Sequence, residues 1–312
     1  MPLHLSNLLT AAMAAAGFWP CTMAAVTIDP VFAGSYAATD LGPPPASTPH
    51  GGLTFLPGDP NHMLIGAKAN TVDGFFAKVA LSRDANCHVD GFLIPPTAFG
   101  TVGEYNDGGV TFSPERVLFS TRYPRNELAQ TRITSTDEDR VDDLDAHGVV
   151  TTVSVSGAAF VPGGFAGAGQ LKLTEIHGNW YTMPLAADGA GTFTPGTAVF
   201  HVTLNNGPEG FAYVSGSNAV FGADSVIVAE SYIGRLAVYA VDANGNPVVA
   251  SRRVFATGLF EPLGIAVDPL TGDLLISDID VTSIFRITGF VVPQVPELIF
   301  TDGFDDLCAG AG

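Results

Sequence analysis

Glu175, Glu230 and Asp278 each close a short apolar run, after Leu171–Thr174, Val226–Ala229 and Leu274–Ser277. Asp107 and Glu209 stand just ahead of two further runs, Gly109-Val-Thr-Phe112 and Gly210-Phe-Ala-Tyr213. If the fold gathers these carboxylates in a narrow space, they raise one another's pKa unless a cation or an arginine intervenes. Oxygen donors of this kind suit calcium or magnesium. Glu175, Glu230 and Asp278 are therefore the metal candidates, and Asp107 or Glu209 would serve as base. His50, Asn70, Arg122 and His177 occupy the matching places in other parts of the chain and complete a candidate ligand-binding rim. The plain alternative is that polar residues end strands in any sheet. His50, His177 and His201 lack the H-x-x-x-H spacing of a zinc site, and no nucleophile elbow, Walker loop or dinucleotide fingerprint is present.

The elements that must position these residues form a repeat. Gly52-Leu-Thr-Phe55, Gly109-Val-Thr-Phe112, Gly157-Ala-Ala-Phe160, Gly210-Phe-Ala-Tyr213 and Gly264-Ile-Ala-Val267 stack at intervals of 57, 48, 53 and 54 residues. Each meets a Pro- or Gly-centred turn, such as Pro57-Gly58 or Asp268-Pro269, and a second apolar run follows. Later halves repeat too: a strand runs into Asp84-Ala-Asn86 and another into Asp242-Ala-Asn244, which read as hairpin tips. Units of four short strands cannot bury both faces alone, so they pack around an axis. The expected fold is all-β, a single β-propeller of five or six four-stranded blades, with an irregular sandwich as the rival. Five repeats are complete; a sixth could be built from residues 26–36 and Glu297–Phe300. In such a blade the first strand leaves one face and the second returns to it. Residues before the first and after the second therefore share one rim of the channel. Trp180-Tyr181 read as a third strand packed between blades, and the acidic run Asp137–Asp145 as a solvated edge.

Only 14% of the 312 residues are charged, while Gly 36 and Pro 22 point to turns rather than helices. Residues 1–25 have the apolar, Ala-rich character of a signal peptide, although no Lys or Arg precedes Lys68. The propeller is then expected over 26–300, with a Pro-rich lead-in at 38–50 and a short tail at 301–312. Removal of the leader leaves Cys87 and Cys308, which could pair in an oxidising compartment. A net charge of −18 argues against nucleic acid or an anionic membrane as partner. No membrane span is expected in the mature chain, and a secreted or periplasmic monomer is.

The stretch Pro262–Asp278, PLGIAVDPLTGDLLISD, resembles the repeat phrase of the NHL and gluconolactonase (senescence-marker) propellers. Over about residues 50 to 290, Asn106-Asp-Gly-Gly-Val110, Leu118–Pro124 and Gly207–Phe211 resemble uncharacterised exported bacterial propeller proteins, some with a PEP-CTERM sorting tail that this chain lacks. The Glu297–Asp305 stretch resembles short tails of secreted bacterial proteins. The resemblance to gluconolactonases implies a Glu–Asn–Asp metal set at the channel mouth, but that set has no residue-by-residue match here. The leading expectation is an exported non-catalytic propeller that binds a protein, glycan or small ligand at the channel mouth. The alternative is a divalent-metal-dependent lactonase or esterase.

Overall fold

Five antiparallel sheets stand around one axis in this computed structural model, which describes residues 25–279, 281 and 283–292. Blade 1 comprises His50–Leu56, Asp59–Ala67, Phe75–Arg83 and Val89–Ala98; blade 2 comprises Asn106–Phe112, Val117–Arg122, Glu127–Arg132 and Arg140–Asp143. Blade 3 comprises Val155–Phe160, Leu171–Glu175, Asn179–Met183 and Val199–Thr203, with the hairpin Leu185–Ala187/Phe193–Pro195 inserted before its last strand. Pro208–Val214, Ser225–Glu230, Arg235–Ala240 and Arg253–Thr257 form blade 4. In blade 5, Pro262–Val267, Leu274–Asp278 and Ile284–Thr288 take their outer strand from Ala37–Asp40. The first strand of every blade is innermost, and these five touch in ring order, the fifth against the first. The expected propeller is thus observed, with five blades.

Ring closure differs from the expectation. Ala37–Asp40 pairs antiparallel with Phe285–Thr288 and completes blade 5. That segment overlaps the start of the stretch read as a Pro-rich lead-in. It can pair because Pro43, Pro44 and Pro45 begin only after it, so its amides remain donors. Residues 26–36 found no sixth blade. Thr27–Ile28 extends the edge of blade 4, and Phe32 and Tyr36 wedge between blades 4 and 5 against Phe221, Phe255 and Phe290, with ring centroids 4.7–6.2 Å apart. Glu297–Phe300 lies outside the described residues, as do the leader and the tail.

The hairpin tips form as read. Asp84 accepts from the amides of Asn86 and His88, and Asp242 from those of Asn244 and Asn246. The blade 1 tip also seals the seam with blade 5. There Arg83 pairs with Asp268 at 2.7 Å with both side chains buried, and His88 Nδ1 lies 2.6 Å from Asp273. Trp180 is fully buried in a third strand, 4.4 Å from the Phe211 ring. The acidic run supplies the outer strand of blade 2, where Asp139 and Asp142 pair with Arg132 and Arg140.

Candidate functional site

All five innermost strands carry the same irregularity. Their register against the second strand shifts between His50 and Leu53, Asn106 and Val110, Val155 and Ala158, Pro208 and Phe211, and Pro262 and Ile265. A bulge at the start of a strand bends it and re-aims the side chains there. The repeat glycine sits within each bulge, where the blades crowd the axis. A Cβ on Gly52 would lie 2.5 Å from Gly108 O, one on Gly109 2.5 Å from Ala158 N, and one on Gly210 2.5 Å from Leu263 O. One on Gly264 would lie 2.6 Å from Gly52 Cα, and Gly157 faces Glu209 O more closely still. These glycines exist so that five backbones can meet.

Side chains strap this collar together. Thr121 Oγ1 accepts from Gly109 N at 3.0 Å and donates to Ser156 O of blade 3 at 2.7 Å. Ser156 Oγ donates to Pro208 O of blade 4 at 2.7 Å. Ser277 Oγ accepts from Gly264 N at 2.9 Å and donates to Gly51 O of blade 1 at 2.6 Å. Asn106 joins blade 2 to blade 1 by donating to Ala67 O at 3.1 Å.

The structure brings Asp107 and Glu209 together at this closed end. Asp107 is 1% exposed and its carboxyl is pushed up to about 8, chiefly by burial, while the Gly108 amide and Asn70 pull it down and Glu261 adds to the rise. Asn70 donates to Asp107 Oδ1 at 3.3 Å. Glu209, 4% exposed, is held well above the usual carboxylate range by burial, then by Asp107 and Glu261. Its Oε2 reaches across to blade 2, 2.7 Å from where a Cβ on Gly108 would sit. Asp107 Oδ2 and Glu209 Oε2 have no hydrogen-bond partner. Burial thus favours the neutral form of both groups, because an isolated buried carboxylate is too costly. Glu261 was missed in the sequence. It lies three residues before Gly264 rather than next to it, although the loop ahead of blade 5 was as good a place to look as that ahead of blade 4.

The other candidates share this end of the hub but not one site. Glu175, Glu230 and Asp278 pair with Val155, Pro208 and Pro262 at the starts of the inner strands. Each carboxylate is engaged locally. Glu175 accepts from Thr151 Oγ1 and the amides of His177 and Asn179. Glu230 pairs with Arg252 and accepts from Tyr239 OH, and Asp278 accepts from the amides of Phe260 and Glu261. Arg122 turns into its own blade and the preceding loop, toward Glu104, Glu127 and Glu138. His50 bonds Ala46 O at 3.2 Å, and His177 is half-exposed, 3.6 Å from Glu175. Among the described residues no three His, Cys, Asp or Glu converge as a ligand set.

The opposite end of the hub is open. A cavity of ≈ 600 Å³ lies between the far halves of all five inner strands and is lined by Leu53–Pro60, Val110–Phe112, Ala158–Phe160, Phe211–Tyr213, Ile265–Val267 and Val292 among others. Its side chains are almost all apolar. Each inner strand is paired on one side only, so a backbone edge with N–H and C=O groups is left toward the axis. The sequence showed the cause without its consequence. After each glycine come Leu, Val, Ala, Phe or Ile, then Thr or Ala, then Phe, Tyr or Val, so the hub widens as the strands run away from the collar.

The fold and its two unlike hub ends define a five-bladed β-propeller with a sealed acidic collar and an open apolar cavity. No family model matches the chain, and no curated protein matches it. Solved structures that overlap it include a glutaminyl cyclase from Myxococcus xanthus (13% identity, TM-score 0.48, covering 82% of this chain and 98% of that one). A Trichoderma reesei carbohydrate-active enzyme of family AA12 overlaps at 11% identity and TM-score 0.48, covering 86% and 98%. An auxiliary nutrient binding protein from Bacteroides ovatus does so at 10% and 0.44, covering 81% and 76%. Overlaps this loose carry no functional information.

Proposed function

We propose that the chain is an exported, non-catalytic propeller that binds a small apolar ligand in the cavity at the open end of its hub. One observation carries the reading: ≈ 600 Å³ of space walled by apolar residues from all five blades. That volume falls within the roughly 300–1,000 Å³ of small-molecule sites. The exposed strand edges would fix one hydroxyl or carbonyl of a ligand whose body is aliphatic or aromatic. Export is supported by the leader-like first 25 residues and by the disulfide at Cys87, a bond suited to oxidising compartments. Position 308, the expected partner, lies outside the described residues. The acidic collar favours binding over catalysis, because Asp107 and Glu209 are sealed behind backbone rather than presented to a substrate.

The test is fluorescence titration with N-phenyl-1-naphthylamine, an uncharged apolar dye that the net charge of −18 does not repel. Ala159 is half-buried in the cavity wall, and Ala159→Phe should fill the space. Dye affinity should fall at least about tenfold, the equivalent of about 1.4 kcal/mol. A variant that melts like the parent and binds dye equally well would overturn the reading.

A further inference from the structure

Lys172 is out of keeping with its surroundings. It is fully buried in the second strand of blade 3, between Leu171 and Leu173, which pack toward blade 2. Alternation along the strand sends Lys172 the other way, into the seam with blade 4. A lysine buried to this degree ordinarily has a carboxylate partner. Here Nζ donates instead to three neutral oxygens: Gln170 Oε1 at 2.8 Å, Thr182 Oγ1 at 2.7 Å and Asn246 Oδ1 at 2.8 Å. Burial pushes the amine down to about 8, against the pull of Asp242. Its neutral form is thereby made accessible, and a neutral amine is a nucleophile.

Asn246 presents the matching electrophile. Its Cγ is one carbonyl bond from Oδ1, so it lies no more than about 4 Å from Nζ. The residue is 3% exposed, on the blade 4 tip, and the tip is pressed onto blade 3, where a Cβ on Gly245 would sit 2.6 Å from Ala166 O. Its Nδ2 donates to Asp242 Oδ2 at 3.3 Å. Pro247 follows, so no backbone N–H stands next in the chain to attack Cγ and deamidate the residue through a cyclic imide. The amine poised on this carbonyl carbon is that of Lys172.

We propose that Lys172 and Asn246 join through an isopeptide bond that rivets blade 3 to blade 4. The ammonium first gives a proton through Thr182 Oγ1 to His201 Nε2, 2.8 Å further on, and so to solvent. The Nζ lone pair then attacks Cγ, and the carbonyl electron pair moves to Oδ1. The Asp242 carboxylate takes the surplus proton from Nζ and passes it to Nδ2. The pair returns from Oδ1, the Cγ–Nδ2 bond breaks with its electrons, and one ammonia leaves while the carboxylate is restored. Fixed proximity in a site closed to water favours this reaction over hydrolysis.

The test is mass spectrometry of the reduced, denatured full chain and of its tryptic digest. Compared with Lys172→Arg, and after allowance for the substitution, the parent should be lighter by one ammonia. Trypsin should leave Lys172 uncut and release residues 141–235 joined to residues 236–252 as one branched peptide. Lys172→Arg and Asn246→Ala should both keep their full masses and give linear peptides, and Asp242→Ala should be largely unlinked. A parent of full mass that trypsin cuts after Lys172 overturns the proposal. So does a loss of ammonia that persists in Lys172→Arg, or conversion of Asn246 to aspartate without a branched peptide.

Discussion

Replacing Asp107 with Asn should change how stability depends on pH more than it changes stability itself. The carboxyl moves from 3.8 to about 8 on folding, with burial as the main cause. Between those values the native state holds a proton that the unfolded chain has released. Stability from this group is therefore complete below pH 4 and lost as pH rises toward 8, since the native state binds more protons. At about 1.4 kcal/mol for each pKa unit the ceiling is of order 5 kcal/mol. Glu209 and Asp107 raise each other, so part of that sum belongs to the pair. A fall of about 2–4 kcal/mol between pH 5 and pH 8 is the working expectation. Asparagine keeps the shape and cannot ionise. Urea unfolding of parent and Asp107→Asn at pH 5, 6, 7 and 8 cancels, in the difference, the titrating groups that do not interact with Asp107. The variant should be the weaker protein at pH 5 and gain on the parent by about 2–4 kcal/mol by pH 8, with unchanged m-values. Glu209→Gln should move the same way. A difference constant across that range would refute the reasoning, because the carboxyl would then be ionised or solvated in the folded state.

The collar should tolerate no side chain. Gly157→Ala places a methyl against Glu209 O and should cost more than about 3 kcal/mol in urea unfolding, beyond ordinary overpacking. Gly163→Ala, with nothing within 4 Å, should cost little. Millimolar calcium or magnesium should leave the melting temperature within about 2 °C of its value in chelator, because the hydrogen bonds and ion pairs of Glu175, Glu230 and Asp278 hold them apart. A bound metal at a hundredfold excess over its Kd would add about 2.7 kcal/mol, or about 5–10 °C, and a shift of that size would restore the metal site.

The repeat made the fold legible because each unit carries the same punctuation. The glycine, the turn and the second run fall at fixed places in Gly52–Ala67 and again in Gly264–Asp278. Closure was harder to see. Ala37-Ala-Thr-Asp40 has no repeat partner and sits beside prolines, and only pairing with Phe285–Thr288 reveals it as a strand. The common end of the rim residues followed from strand direction alone. Their individual partners did not. Whether Glu230 faces the axis or Arg252, and whether Arg122 faces the axis or Glu138, depends on side chains brought in by other strands of the blade and by the loops. Glu261 and the cavity escaped notice for a related reason. Glu261 belongs to one loop only, and the cavity, though its pattern is common to all five repeats, exists only once they close around the axis.

The two ends of the hub arise from one gradient along each inner strand. At its start the glycine lets backbones touch. Water is then excluded, and Asp107 and Glu209 are left without partners for one oxygen each. Further along, each strand keeps a side chain at every position, and Phe55, Phe112, Phe160, Tyr213 and Val267 stand in the cavity wall. Five bulky residues cannot crowd an axis as five glycines can, so the blades splay and a space opens between them. Shutting one end and opening the other are therefore a single design choice. A larger residue at a collar position would weaken the closed end, and a larger one at Thr111 or Ala159 would fill the open end while leaving the collar intact. On that account the acidic residues tighten one end of the wheel, and recognition is carried by the apolar residues at the other.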